Sequence, residues 1–339
     1  MSKIQWNFKV FLTWMAAFLF ALLLAFGLYS VYIKSEQRPL STAVIPQETI
    51  DWFKGLIDGG SDIGGILGPD DRNPSDWSKY EDIDSMLHIE DNLFIIYYSQ
   101  EDSVVERKKA LISQRYAHDA VPIGELFMKN YPYPSQEKMN GRKLPIYLAK
   151  TVDDFRSICK QLGHGDPGTW AIGLYCFQYS LSGVYTDGII ISPEAWSVTD
   201  FLINDHSEDK EFKKTLWHEM NHFMYFTNWD YTQTTQPCLW FTEGLAEYFA
   251  ENYERLSYVG DHQKYELTEN FRDGNEYWVG LSAIMCLEKM HSKSVVSDIV
   301  ENTYKNSVEK AVQMRVPNES LKSWNTKWHS YMDNKEYKK

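Results

Sequence analysis

The sequence predicts an α+β protein in which a small mixed sheet with an edge strand is followed by a mostly helical half, and one transmembrane helix precedes both. Three observations support this fold class. Short runs of β-branched and aromatic residues predict strands at 93–98, 144–149 and 184–192. Longer segments with helical spacing predict helices at 103–130, 152–162, 208–227, 242–255 and 276–290. An uncharged apolar run occupies 10–33.

The apolar run at 10–33 predicts a membrane anchor. Its 24 residues would form a helix about 36 Å long, against a hydrocarbon core about 30 Å thick. The run exceeds the about 7–15 residues of a signal-peptide core and offers no convincing cleavage site, although a cleaved signal or a buried helix are the alternatives. Lys3 and Lys9 precede it, which favours a cytoplasmic N-terminus and an extracytoplasmic remainder.

Composition and the positions of Gly and Pro residues divide the chain into four parts. A short basic flank at 1–9 leads into the anchor at 10–33, an acidic connecting region with Gly and Pro follows at 34–85, and 86–339 is the predicted catalytic domain. The net charge of −13 argues against a nucleic-acid partner and against a polybasic lipid-binding surface. The four cysteines form no C-x-x-C pair, which excludes a zinc ribbon and a thioredoxin-type motif.

Local signals place the ends of several elements. Polar residues precede the strand at 93–98, and Pro145 stands where a strand edge or start tolerates it. Pro122 predicts an interruption in the helix at 103–130, because proline removes a helical hydrogen bond. Residues suited to cap the helix at 208–227 are Asn204, Asp205 and Ser207.

The helix at 208–227 contains the sequence HEMNH, which has the form H-E-x-x-H. Positions i and i+4 of a helix lie on one face, so His218 and His222 can bind the same metal ion. Glu219 then stands beside them and can act on a water molecule at the metal. The alternative is a pair of surface histidines on an amphipathic helix.

A third ligand is predicted in the segment WFTEGLAEY at 240–248. Catalytic zinc sites use three protein ligands, and Glu243 follows His222 after a gap of twenty residues. Gly244 permits close approach of a neighbouring backbone. Glu247, one helical turn later, can orient a ligand histidine, or it can be an ordinary solvated carboxylate. Cys238 is a weaker alternative ligand, since Glu243 already completes the set.

HEMNH, the twenty-residue gap and WFTEGLAEY resemble the gluzincin metallopeptidases, over about residues 86–295. The resemblance implies a thermolysin-like catalytic core that binds one Zn²⁺ through His218, His222 and Glu243, with Glu219 as general base. YWVG at 277–280 also looks like the Tyr-x-x-Gly of several gluzincins, which implies that Tyr277 donates a hydrogen bond to the oxyanion. The alternative oxyanion donors are His262, Tyr265 and Arg272.

One segment departs from that family. Gluzincin aminopeptidases carry a glutamate on the edge strand that binds the substrate's α-amine. The edge strand is predicted near 184–191, and Thr186 occupies the glutamate position there. Asp187 could substitute, but a turn aspartate is the simpler interpretation. The resemblance therefore favours an endopeptidase, with the peptide lying antiparallel to that strand.

The sequence as a whole predicts a membrane-anchored zinc peptidase whose partners are peptide or protein substrates. Two alternatives remain. One is a gluzincin-fold binding or sensor module without turnover, and the other is a structural anchor protein in which H-E-x-x-H is accidental. The retained Glu219 favours an enzyme over the first, and metal analysis separates the second.

Overall fold

Five strands form one mixed sheet in the part of the chain that the computed structural model describes. That part comprises residues 82–127, 139, 141–168, 171–180, 183–196, 209–230, 238–258, 260–272 and 274–338. The strands are β1 (Leu87–Glu90), β2 (Phe94–Tyr98), β3 (Leu144–Leu148), β4 (Gly173–Ser180) and β5 (Gly183–Ile191). The described residues thus have the α+β class that the sequence predicts.

The strand order is β1-β2-β3-β5-β4. The three central strands run parallel, whereas β1 and β4 are antiparallel to their neighbours and form the two edges. β2, β3 and the last residues of β5 are apolar runs, as expected where both faces of the sheet are covered. Ile146 shows the register, since it pairs with Ile96 on one side and Ile189 on the other.

Helices cover both faces of the sheet. The helices α1 (Ser103–Phe127) and α3 (Lys210–Asn228) pack on the face that presents Phe94 and Ile96, and the shorter α2 (Val152–Gln161) lies with Tyr147 and Ile190 on the other. α3 contacts both β4 and β5. One edge strand of the sheet therefore lies against the helix that carries HEMNH.

The second half of the described chain is helical, as the sequence predicts. It contains α4 (Leu239–Phe249), α5 (Glu276–Met290), α6 (Lys293–Thr303), α7 (Val308–Arg315) and α8 (Leu321–Asp333). Trp240, Trp324 and Trp328 are fully buried at the centre of this half. Trp240 donates its indole N–H to the Thr268 carbonyl oxygen at 2.8 Å, and Trp328 donates to the Ser282 hydroxyl at 2.9 Å. The Trp324 N–H is buried without a partner among the described residues. Large aromatic side chains thereby join α4, α5 and α8 into one core.

Several predicted boundaries are wrong, each for a local reason. α1 continues through Pro122, so the predicted interruption does not occur. α3 is capped by Asp209, whose carboxylate accepts from the Phe212 N–H at 3.0 Å, and not by the earlier candidates. α4 begins at Leu239, and a 3₁₀ segment, Tyr253–Tyr258, replaces the end predicted at 255. Glu243 therefore lies within a helix and does not open it.

The predicted edge strand is also wrong. The strand near 184–191 is β5, which pairs with β3 on one side and β4 on the other. The edge is β4, whose sequence GLYCFQYS alternates poorly and gave no strand signal. Thr186 is accordingly buried and forms a 2.9 Å hydrogen bond with the Tyr175 hydroxyl. Asp187 interacts with His164 and Gln178, at 3.0 and 3.1 Å.

Two further predictions concern the anchor and the cysteines. The predicted span at 10–33 lies outside the described residues, and no helix within them is long and apolar enough to cross a membrane. The four cysteines are Cys159, Cys176, Cys238 and Cys286. All four are buried and unpaired, as expected for small apolar residues of a core.

Candidate metal centre

Three side chains from two helices converge on one point. α3 places His218 and His222 one turn apart, and α4 brings Glu243 to them. The two histidine Nε2 atoms are 3.0 Å apart. Glu243 Oε2 lies 3.2 Å from His218 Nε2 and 3.4 Å from His222 Nε2. These residues form the one group of metal-ligating side chains found among the described residues.

The donor spacing fits a zinc ion. Zinc binds imidazole nitrogen and carboxylate oxygen at about 2.0–2.2 Å in tetrahedral geometry, which separates neighbouring donors by about 3.3–3.6 Å. The observed separations of 3.0–3.4 Å fall at or slightly below that range. Two nitrogens and one oxygen are also a donor set that zinc uses in catalytic sites. The triad can therefore hold one such ion.

The electrostatics of the triad match a ligand set in its metal-free state. Burial by itself lowers the pKa of His218, but the hydrogen bond to Glu243 and the charges of Glu247 and Glu219 outweigh it and raise the pKa to about 9. Burial acts on Glu243 in the opposite sense, yet the charge of His222 and the hydrogen bonds from both imidazoles hold its pKa well below the usual range. The proton on His218 thus supplies positive charge that a bound metal ion would otherwise supply.

The Glu219 side chain extends from α3 toward the edge strand β4. Its side chain is buried, and this burial raises its pKa above the usual range. The Tyr175 backbone N–H donates to its carboxylate, which partly opposes that effect. Gly173 allows this approach, because a Cβ there would lie 2.9 Å from Glu219 Oε1. A buried carboxylate with a raised pKa is suited to accept and release protons near neutral pH.

Glu247 lies behind His218 and is 1% exposed. Its Oε1 is 3.5 Å from His218 Nδ1 and 3.2 Å from Arg255 Nε. A carboxylate on the outer nitrogen of a ligand histidine fixes the ring orientation and the tautomer. The structure therefore places Glu247 beside a candidate ligand histidine, and it is not a solvated carboxylate.

Tyr277 reaches the centre from the first turn of α5. Its ring centroid is 5.9 Å from that of His218, with an angle of 30° between the planes. The charge of Glu243 is the largest of several influences that raise the pKa of the Tyr277 hydroxyl, so the group stays protonated. A protonated hydroxyl can donate a hydrogen bond to a developing negative charge.

A close crossing of α4 and α5 brings Tyr277 and Glu243 to the same site. A Cβ on Gly280 would lie 1.9 Å from the Trp240 carbonyl oxygen, and one on Gly244 would lie 2.1 Å from the Gly280 carbonyl carbon. Only two glycines allow backbones to approach so closely. Gly244 follows Glu243 directly, and Gly280 is one turn after Tyr277, so the crossing sets the position of both side chains.

The alternative residues named from the sequence have other partners. His262 interacts with Asp333 at 2.9 Å, and Tyr265 packs edge-to-face on Trp278. Cys238 is buried with Sγ 3.8 Å from the Thr268 carbonyl oxygen. Arg272 is exposed, and its positive charge partly opposes the burial that raises the pKa of the Cys238 thiol.

Sequence patterns missed three residues at this centre. Gly173 and Tyr175 lie on β4, which had no recognisable strand signal, and Arg255 lies in a 3₁₀ segment that was expected to be the end of a helix. A lone arginine after a helix gives no spacing signal, because its contact with Glu247 depends on how the chain turns.

Comparison with models of known protein families and with curated protein sequences finds no match to this chain.

Proposed function

We propose that this chain is a membrane-anchored, zinc-dependent peptidase with a thermolysin-like catalytic core. One observation carries the proposal: His218, His222 and Glu243 converge at zinc-ligand spacing while Glu219 is buried beside them. Residues 10–33 would provide the anchor. A chance H-E-x-x-H pair on a surface helix would not be expected to meet a third ligand together with a buried glutamate.

His218, His222 and Glu243 would hold the ion. Zinc, when bound, supplies Lewis-acid chemistry that activates water and polarises a carbonyl group. Glu219 accepts the proton from the attacking water and delivers it to the departing amine. The Tyr277 hydroxyl donates to the carbonyl oxygen as negative charge develops there. Glu247 keeps the His218 ring in its binding orientation.

The edge strand supports endopeptidase over aminopeptidase action. β4 lies beside Glu219 and is an edge strand of the sheet that the described residues form, so an extended peptide can pair with it. Its sequence from Gly173 to Ser180 contains no acidic residue. Recognition of a free α-amine needs a carboxylate at the end of the peptide site, and this strand offers none.

The test compares the parent chain with Glu219→Gln. Full-length protein in detergent is assayed for zinc content and then digested with a peptide library, with and without a chelator. We expect one zinc per chain and internal cleavage by the parent that the chelator stops and added zinc restores. Glu219→Gln should bind zinc equally while its kcat falls by about 10²-fold or more.

Two results would contradict this proposal. A parent chain that binds zinc but cleaves no peptide would favour a binding or sensor module. A parent chain that binds no zinc would indicate that the H-E-x-x-H sequence is accidental. Release of single N-terminal residues would contradict only the endopeptidase part.

A further inference from the structure

Arg255 returns to the metal centre after α4 has ended. The helix stops at Phe249, and Glu251 adopts a left-handed conformation with φ of 54° that turns the chain back. The 3₁₀ segment Tyr253–Tyr258 then directs Arg255 toward the end of α4. Its Nε atom donates to Glu247 Oε1 at 3.2 Å.

Burial of Glu247 creates a need for this partner. The Glu247 side chain is 1% exposed, and its second oxygen, Oε2, has no hydrogen-bond partner among the described residues. A buried carboxylate is unfavourable unless it is paired with a charge or with donors. Arg255 provides a permanent positive charge next to Glu247 Oε1. The same oxygen lies 3.5 Å from His218 Nδ1. The carboxylate is therefore held between a ligand histidine and a guanidinium.

The same guanidinium contacts Tyr277. Its central carbon lies 5.4 Å from the tyrosine ring centroid, within the range of a cation–π interaction. The ring of Tyr277 is also near His218, at 5.9 Å between centroids. One side chain thus contacts both the residue that orients a ligand and the residue that we assign to the oxyanion.

We propose that Arg255 is a positioning residue that holds Glu247 against His218 and fixes the ring of Tyr277. This inference rests on the proposed function for the role of Tyr277, but its effect on metal binding does not require peptide cleavage. A lysine can provide the charge for Glu247, but it lacks the planar fork that pairs with a carboxylate and stacks on a ring. The two contacts of Arg255 can therefore be separated by substitution.

The experiment uses full-length protein with Arg255→Gln, Arg255→Lys, Glu247→Gln and the double variant Glu247→Gln/Arg255→Gln. Zinc dissociation constants are measured by competition with a chromophoric chelator, and kcat and KM on a peptide that the parent cleaves. Arg315→Gln is the matched control, because Arg315 pairs with Asp298 away from the centre. Circular dichroism establishes that each variant is folded.

Arg255→Gln should raise the zinc dissociation constant about 10–100-fold and lower kcat more than it changes KM. Arg255→Lys should recover most of the zinc affinity but less of kcat. The effect of Arg255→Gln on zinc should largely vanish in the Glu247→Gln background, because the arginine acts through that carboxylate. The control should match the parent.

Parental zinc affinity and kcat in folded Arg255→Gln would overturn the inference, and so would an undiminished zinc effect in the Glu247→Gln background. Failure of the proposed function would look different. A parent that binds zinc without cleaving peptide would leave the zinc measurements to support or refute the link from Arg255 through Glu247, whereas a parent that binds no zinc would overturn both proposals.

Discussion

Gly280→Ala tests whether the crossing of α4 and α5 sets the site. The added Cβ would lie 1.9 Å from the Trp240 carbonyl oxygen and 2.7 Å from Gly244 Cα. Carbon contacts are optimal at about 3.5–4.0 Å, so the helices must separate by about 1 Å or more. Overpacking of a core costs about 1–3 kcal/mol or more, and removal of a helical glycine returns about 1 kcal/mol.

Because the clash is with backbone atoms, we expect the upper part of that range and a net loss of about 2 kcal/mol. That corresponds to a fall in Tm of about 4–8 °C for a domain of this size. Tyr277, one turn earlier, should also shift from His218, and loss of an oxyanion donor typically lowers kcat about 10²–10³-fold. Zinc affinity should also fall, because Glu243 precedes Gly244 at the crossing, although both histidines are on α3.

Thermal unfolding followed by circular dichroism measures the first effect, and peptide hydrolysis measures the second. Gly260→Ala is the matched control, because a Cβ there meets no atom of the described residues within 4 Å. It should leave the Tm unchanged or raise it slightly. A Gly280→Ala variant with parental Tm and kcat would refute the close crossing as the determinant of the site.

Three other perturbations test the centre. Gly173→Ala places a Cβ 2.9 Å from Glu219 Oε1, so kcat should fall at least about tenfold with zinc affinity unchanged; parental kcat would contradict the placement. In zinc-free protein, charged His218 adds stability that is complete below about pH 6.5 and is lost as the pH rises through about 9. The unfolding free energies of the parent and of His218→Gln, measured with urea, should therefore converge at high pH. A difference between them that does not change with pH would contradict this reasoning. Zinc at a hundred times its dissociation constant should add about 2.7 kcal/mol to the parent's unfolding free energy, and His222→Ala should abolish this gain; an equal gain in both would place the ion elsewhere.

The parts of the site that the sequence predicted are those that depend on short-range geometry. A helix places residues four apart on one face, so HEMNH brings His218 and His222 together wherever the helix packs. α5 was predicted from 276 to 290 and is observed at Glu276–Met290. The contribution of Glu243 was inferred from a resemblance, since a gap of twenty residues has no fixed geometry.

Other parts depended on contacts between distant segments. The edge of the sheet is β4 because β5 lies between it and β3, and strand order is set by packing of the whole sheet. Pro122 was expected to interrupt α1, but the helix continues through it, since burial along a helix can outweigh one lost hydrogen bond. The cap at Asp209 lies two to five residues after the expected caps, and its carboxylate accepts from the Phe212 N–H.

The sequence by itself thus determined the class of the fold, and it determined that His218 and His222 lie on one face of a helix with Glu219 beside them. Helical and strand periodicity are local properties of the chain. Only the tertiary structure decided that Glu243 meets both imidazoles, that Gly244 and Gly280 allow α4 and α5 to cross, and that Arg255 returns to Glu247. These contacts form when hydrophobic surfaces of separate elements pack together, and no spacing along the chain encodes the distance between them.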